Sequence, residues 1–257
     1  MKERAYKFEE GEILVFDKPL HWTSFNLVKI IRNNLSRRMG IKRLKVGHAG
    51  TLDPLASGVM IICTGRCTKD IDQLQAGTKE YVATMRLGRT TPSFDAEHSV
   101  DHTYSTGHIT RALVDETLKR FLGSIWQVPP VYSACKVEGR RAFDYARNGE
   151  EVELKAKELV IDEIEVLDFV SQQEAQQRGT KPELTLRVVC SKGTYIRALA
   201  RDIGEALGSG AYLTALRRTR VGQYSLADCH IPVEQVEQWA KEVEIERVEE
   251  DSPQPSL

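Results

Sequence analysis

Two short segments of this 257-residue chain hold the residue types that acid–base or covalent chemistry requires. The first is Gly47-His-Ala-Gly-Thr-Leu-Asp-Pro-Leu-Ala-Ser-Gly58. Gly47, Gly50 and Gly58 permit tight or left-handed backbone, and Pro54 drives Asp53 out of the helical region into an extended conformation. A carboxylate fixed in such a glycine-framed turn can act as a base or a nucleophile, although an isolated Asp-Pro pair is ordinarily no more than a turn. The second segment, Cys190-Ser-Lys-Gly-Thr-Tyr-Ile-Arg-Ala-Leu-Ala-Arg-Asp-Ile-Gly204, predicts a strand end, a turn at Gly193 and a helix N-terminus. Arg197 falls in the first turn of that helix, where the dipole disfavours a cation. It calls for a partner, either a carboxylate such as Asp53 or an ordinary surface ion pair. A third, polar stretch holds Asp95, Glu97, His98, Asp101, His102 and His108. Such groups could ligate a divalent metal in a phosphoesterase, but the stretch reads more simply as a solvated loop.

The elements that must position these segments follow from periodicity. Strand signals fall at Ile13–Phe16, Val59–Thr64, Glu80–Leu87, Ile125–Val128, Leu159–Leu167 and Glu183–Ser191, each β-rich and bounded by Gly, Pro, Asp or Lys. Thr23 or Ser24 caps a helix in which Leu27, Val28, Ile31 and Leu35 recur at helical spacing, and Ala112–Leu122 and Ile196–Leu207 behave likewise. Strands and helices mix without a steady βαβ rhythm, which predicts an α+β fold with a largely antiparallel central sheet flanked by helices. Lys136–Lys157 reads as a basic excursion with a short helix at Arg141–Asn148 stopped by Gly149, and Asp251–Leu257 as a disordered tail.

Charge is unevenly spread. The net charge is −1, but residues 233–257 hold eight acids and two bases, so residues 1–232 carry +5. No acid occurs between His21 and Leu52, where Lys29, Arg32, Arg37, Arg38, Lys42, Arg43 and Lys45 form either a phosphate-contacting surface or a solvated basic face. Five cysteines without paired C-x-x-C spacing predict free thiols, and the N-terminus shows no apolar secretory core, so a cytoplasmic protein is expected.

Taken together, the two segments and the text around them resemble the TruB-type pseudouridine synthase family, which modifies uridine 55 in the T arm of transfer RNA. The likeness extends in order over Leu14-Val-Phe-Asp-Lys-Pro19 with Thr23-Ser24, Gly47 to Gly58, Thr64-Gly-Arg-Cys-Thr-Lys69, Lys79-Glu-Tyr81, Gln127-Val-Pro-Pro-Val-Tyr-Ser-Ala134, Cys190 to Arg197, and Leu216-Arg-Arg-Thr-Arg-Val-Gly222. It implies the pseudouridine synthase fold, with residues 1–232 as the catalytic domain and 136–157 as an RNA-gripping insertion. Residues 233–257 would then be an acidic helix and tail in place of a full PUA domain.

The reaction it implies cleaves the uracil N1–C1′ bond, turns the base and joins C5 to C1′. Asp53 is then the catalytic carboxylate, free to add to the base, attack C1′ or abstract a sugar proton. Arg197 keeps it ionised and aimed, and Tyr81 stacks on uracil near C5. His48 fills the space left by the flipped base, Tyr195 and Leu216 line the uracil pocket, and Lys18 and Lys69 support the site. Lys136, Arg140, Arg141 and Arg147 contact RNA phosphates. No electrons or external groups are exchanged, so no cofactor and no metal are expected. The partner is the T-arm stem-loop of transfer RNA, with no membrane, and the enzyme is a monomer. The competing reading is an RNA-binding or RNA-folding module without turnover. The chain departs from the family in lacking a glycine after Asp17-Lys-Pro-Leu20, and in reading Thr90-Thr-Pro-Ser-Phe-Asp95 where a Thr-Asp-Thr-x-Asp run is usual.

Overall fold

A computed structural model describes residues 5–229 and 231–246, which divide into two compact units, one built from residues up to 76 and from 223 onward, the other from 77–222. The tail expected from Asp251 lies outside the described residues.

In the first unit, strand β1 (Ile13–Lys18) pairs antiparallel with β3 (Ala56–Thr64), and the short β2 (Val46–His48) pairs with the far end of β3. Between β1 and β2 runs helix α1 (Ser24–Met39), which buries Leu27, Val28, Ile31 and Leu35 as their spacing predicts. Thr23 is its cap: the hydroxyl accepts from Asn26 N, worth about 1 kcal/mol. Gly40 ends the helix in the left-handed conformation. Helix α2 (Ile71–Ala76) closes this stretch.

The second unit holds a five-stranded antiparallel sheet. Its strands are β4 (Lys79–Leu87), β7 (Gly123–Gln127), β10 (Lys157–Val170), β11 (Glu183–Cys190) and β12 (Ala211–Val221), in the spatial order β12-β4-β11-β10-β7. Short pairs β5 (Arg89–Thr90) with β6 (His102–Thr103), and β8 (Lys136–Val137) with β9 (Arg140–Arg141), stand apart from it. Four helices accompany the strands: α3 (Arg111–Leu118), α4 (Ala142–Arg147), α5 (Gln172–Arg178) and α6 (Ile196–Ala206). The helix expected over Ala112–Leu122 stops at Leu118 and tightens into a 3₁₀ turn over Lys119–Phe121. Strand β12, eleven residues long, has no counterpart among the strand signals, because Arg217, Arg218 and Arg220 interrupt its apolar run. All these strand pairings are antiparallel.

The chain returns to the first unit after residue 222 and ends its described part in helix α7 (Val236–Glu242). The acidic composition of this segment conceals four core residues: Val233, Val236, Ala240 and Val243 are buried with Phe8, Phe16 and the apolar face of α1. Trp239 packs edge-on against Tyr6, Phe8 and Phe16, with ring centroids 5.8, 6.1 and 6.2 Å away. Residues 233–246 are therefore part of a folded core.

Candidate active site

Asp53 is half-buried at the end of the turn that precedes β3, and each side of that turn is tied down. The Ser24 hydroxyl, at the first residue of α1, donates to Leu52 O (3.1 Å) and accepts from Leu52 N (2.9 Å). His21 N donates to Pro54 O at 2.7 Å, Ala56 N to Asp53 O at 3.0 Å, and Ala49 N to Ile61 O at 2.9 Å. Leu52 is buried, so the backbone on either side of the aspartate is held by hydrogen bonds and by packing. His21, where the resemblance implies a glycine, takes the left-handed backbone that a glycine would, with φ +66°. Lys18 is fully buried at the end of β1, its ammonium donating to Pro19 O (2.9 Å) and Trp22 O (2.7 Å), and so shapes the chain that leads into Thr23 and Ser24. His48 is half-buried at the end of β2, opposite Ile62. Lys69 is exposed on the 3₁₀ turn Gly65–Asp70.

In the second unit Tyr81 lies on the buried face of β4 with Lys79, Ala83 and Met85. Its cross-strand partners are Val188 on β11 and Arg218 on β12, and Leu216 sits two residues along, opposite Ala83. Lys79 is buried too; desolvation, with Arg218 as a second nearby cation, pulls its pKa down to about 8. Desolvation likewise pushes the thiol of Cys190, its register partner, up to about 11. All five cysteines are free thiols.

Arg197 is buried in the first turn of α6 and accounts for its unfavourable place in the helix dipole through three contacts in its own unit. Its guanidinium donates to Ser93 O (3.3 Å) and Tyr132 O (2.9 Å) and forms an ion pair with Asp95 at 3.7 Å, both side chains only 7% exposed. Asp95 is fixed in turn, its Oδ1 accepting from Ser93 Oγ (2.6 Å) and Glu97 N (3.0 Å). Tyr195, at the cap position of α6, donates its backbone N–H to the buried Gln127 side chain at 2.9 Å. Two distant stretches, 93–95 and 127–132, thus converge on one helix start. Sequence reasoning missed Asp95, Ser93 and Gln127 as partners, because nothing local in the sequence ties those distant stretches to this helix start. The remaining polar groups of the 95–108 stretch are dispersed, His108 Nε2 lying 2.9 Å from Leu207 O and Asp101 accepting from Thr90, and no group of metal-holding residues occurs among the described residues.

The excursion 136–157 begins with a hairpin that the sequence signals did not include. Glu138 and Gly139 both have positive φ (+50° and +85°) and turn β8 into β9. Lys136, Arg140, Arg141 and Arg147 are all exposed on it. Arg140 lies over Tyr145 at 4.1 Å and pairs with Glu150 at 3.0 Å, while Arg141 and Arg147 approach Phe143 at 5.7 and 5.1 Å. Two rings therefore organise three guanidinium groups.

Comparison with known proteins adds to this geometry. A family model described as TruB family pseudouridylate synthase (N terminal domain) matches residues 37–196, and one described as tRNA pseudouridylate synthase B C-terminal domain matches 197–250. The chain is 62% identical to tRNA pseudouridine synthase B of Phocaeicola vulgatus, over 94% of this chain and 98% of that protein. It is 47% identical to the protein of the same name from Flavobacterium johnsoniae, over 86% and 92%. Among solved structures, a Cbf5-Nop10-Gar1 complex contains a chain that is 29% identical with a TM-score of 0.64, covering 93% of this chain and 58% of that one.

Proposed function

This chain belongs to the TruB family of pseudouridylate synthases and isomerises uridine in transfer RNA, and from that premise we propose that Asp53 is the carboxylate that acts on uridine 55 of the T arm. The observation that carries the assignment is the double anchoring of its turn by Ser24 and His21, which holds a half-buried carboxylate still. Preorganisation of this kind is what a displacement at a single sugar carbon requires. The N1–C1′ bond breaks, the base turns, C5 bonds to C1′, and the C5 proton leaves as N1 gains one. Tyr81 offers its ring to the base, Arg197 an immobilised positive charge, and Tyr195 and Leu216 the walls of the pocket, while His48 takes the place of the flipped nucleotide. Lys18 and Lys69 support the site. Lys136, Arg140, Arg141 and Arg147 hold the RNA backbone from the 136–157 insertion.

Residues 1–232 carry these functions, and 233–257 add the acidic helix and tail. The enzyme works as a monomer in the cytoplasm, and because atoms and electrons balance within the nucleotide the reaction requires neither metal nor cofactor. No helix among the described residues is long and apolar enough to cross a membrane.

The test is tritium release from a transfer RNA transcript labelled at uracil C5. Wild-type protein releases label at one T-arm position, and Asp53→Asn lowers the rate at least ~10³-fold, the loss expected when a nucleophile or base is neutralised. Equal release by both proteins would refute the role of Asp53. Tight binding without release by either would favour the binding-module reading.

A further inference from the structure

The basic segment after His21 does not spread its charge evenly once folded. Arg32 turns inward to donate to Val46 O at 3.0 Å, and Arg38 donates to Ala240 O at 3.4 Å, bracing α1 against α7. Between those helices lies a groove of about 590 Å³, within the size range of ligand clefts. Asn26, Lys29, Asn33 and Arg37 line it from α1 at spacings of three and four, a single helix face, and Glu237 and Lys241 line it from α7. Three cations against one acid leave the lining positive, with amide donors between the charges. Lys29, Arg37 and Lys241 are exposed, and no ion pair joins any of them to another described residue.

We propose that this groove is a second binding site for RNA phosphates, separate from the turn that carries Asp53. Both features lie in the first unit and share α1, so their separation can be read along one helix. Ser24 at its start anchors the Asp53 turn, and from Ser24 to Arg37 the helix rises ~20 Å, several phosphates away from the nucleotide under attack. The charges are arranged for a polyanion. Lysine and arginine on one face meet successive phosphates, and the asparagine amides can donate to phosphate or sugar oxygens without regard to sequence. The groove would thus bind the body of the RNA without contributing to the chemistry.

The proposal rests on transfer RNA as the substrate, and its test separates binding from turnover. The full chain and its Lys29→Ala/Arg37→Ala/Lys241→Ala variant are titrated with full-length transfer RNA transcript across a range of salt. The variant is expected to bind at least ~10-fold more weakly at low salt, with the slope of log K against log salt shallower by about two. Its single-turnover rate on saturating RNA stays at the wild-type value. Glu237→Gln, which removes the one acid of the lining, is expected to tighten binding and steepen the slope, an effect that damaged folding does not produce. An unchanged slope in the triple variant, a loss confined to the saturating rate, or no tightening in Glu237→Gln would overturn the proposal. Failure of the wild-type protein to isomerise the transcript would instead count against the catalytic assignment alone.

Discussion

Ser24 satisfies both backbone groups of Leu52 with one hydroxyl, so the residue next to the carboxylate is located by a side chain from another element. Ser24→Ala leaves a buried N–H and C=O without that partner, and urea unfolding should register a loss of about 1–3 kcal/mol. The turn would also drift, lowering the single-turnover rate by ~10- to 100-fold with RNA affinity little changed. Lys79 makes a pH-dependent contribution of opposite character. Below about pH 8 the folded chain carries a buried ammonium, a cost absent from the unfolded chain. Between about 8 and the ordinary value of 10.5 the unfolded chain holds a proton that the folded one has released, so stability rises with pH across that window and then levels off. The stability advantage of Lys79→Met over wild type should therefore shrink by about 3 kcal/mol between pH 7 and 10.5, as measured by urea unfolding. The turn that frames Asp53 was legible in the sequence because its framing is local: three glycines and a proline within twelve positions. Asp95 as the partner of Arg197 was not, since no local pattern announces an ion pair between residues so far apart along the chain.

Elements whose apolar positions repeat cleanly were equally legible: α1, β1, β3, β4 and β11 stand close to where periodicity put them. Strand β12 did not, because three arginines obscure its alternation, and Arg218 is nonetheless buried beside β4. The basic excursion illustrates the same boundary. Its charges and its short helix were evident, whereas the contacts of Arg140 with Tyr145 and of Arg141 with Phe143 depend on how β9 leads into α4. These rings restrict arginines that would otherwise lose rotamer freedom on meeting RNA. Phe143→Ala should raise KM for transfer RNA by ~3- to 10-fold, about 1 kcal/mol, and leave the saturating single-turnover rate unchanged. A fall in the saturating rate instead would mean that the insertion aligns the target nucleotide as well as holding its backbone.

At the scale of the whole molecule, the composition of the last segment misdirects. Acidic residues suggest a solvated appendage, yet Val236, Trp239, Ala240 and Val243 complete the core against which α1 rests. Removing residues 233–257 would uncover Phe8, Phe16 and the apolar side of α1, an exposed patch that promotes aggregation. The truncated protein is expected to lose several kcal/mol, as a group of large-to-small core changes would, and to melt well below the full chain in calorimetry. An unchanged melting temperature would show that the first unit holds together without α7.

The pairing of Tyr6 with residues 244–246 adds a temporal consequence. Tyr6 N donates to Glu244 O and Glu246 N to Tyr6 O, so the segment around Tyr6 finds its partners only among residues made much later in synthesis. Synthesis proceeds at roughly 5–20 residues per second, and domains generally fold as units while it continues. The segment around Tyr6 must wait on the order of ten seconds for residues 244–246, whereas every strand of the 77–222 sheet is already present. The aspartate turn belongs to the unit that closes last, so an incomplete nascent chain lacks the finished scaffold on which its chemistry depends.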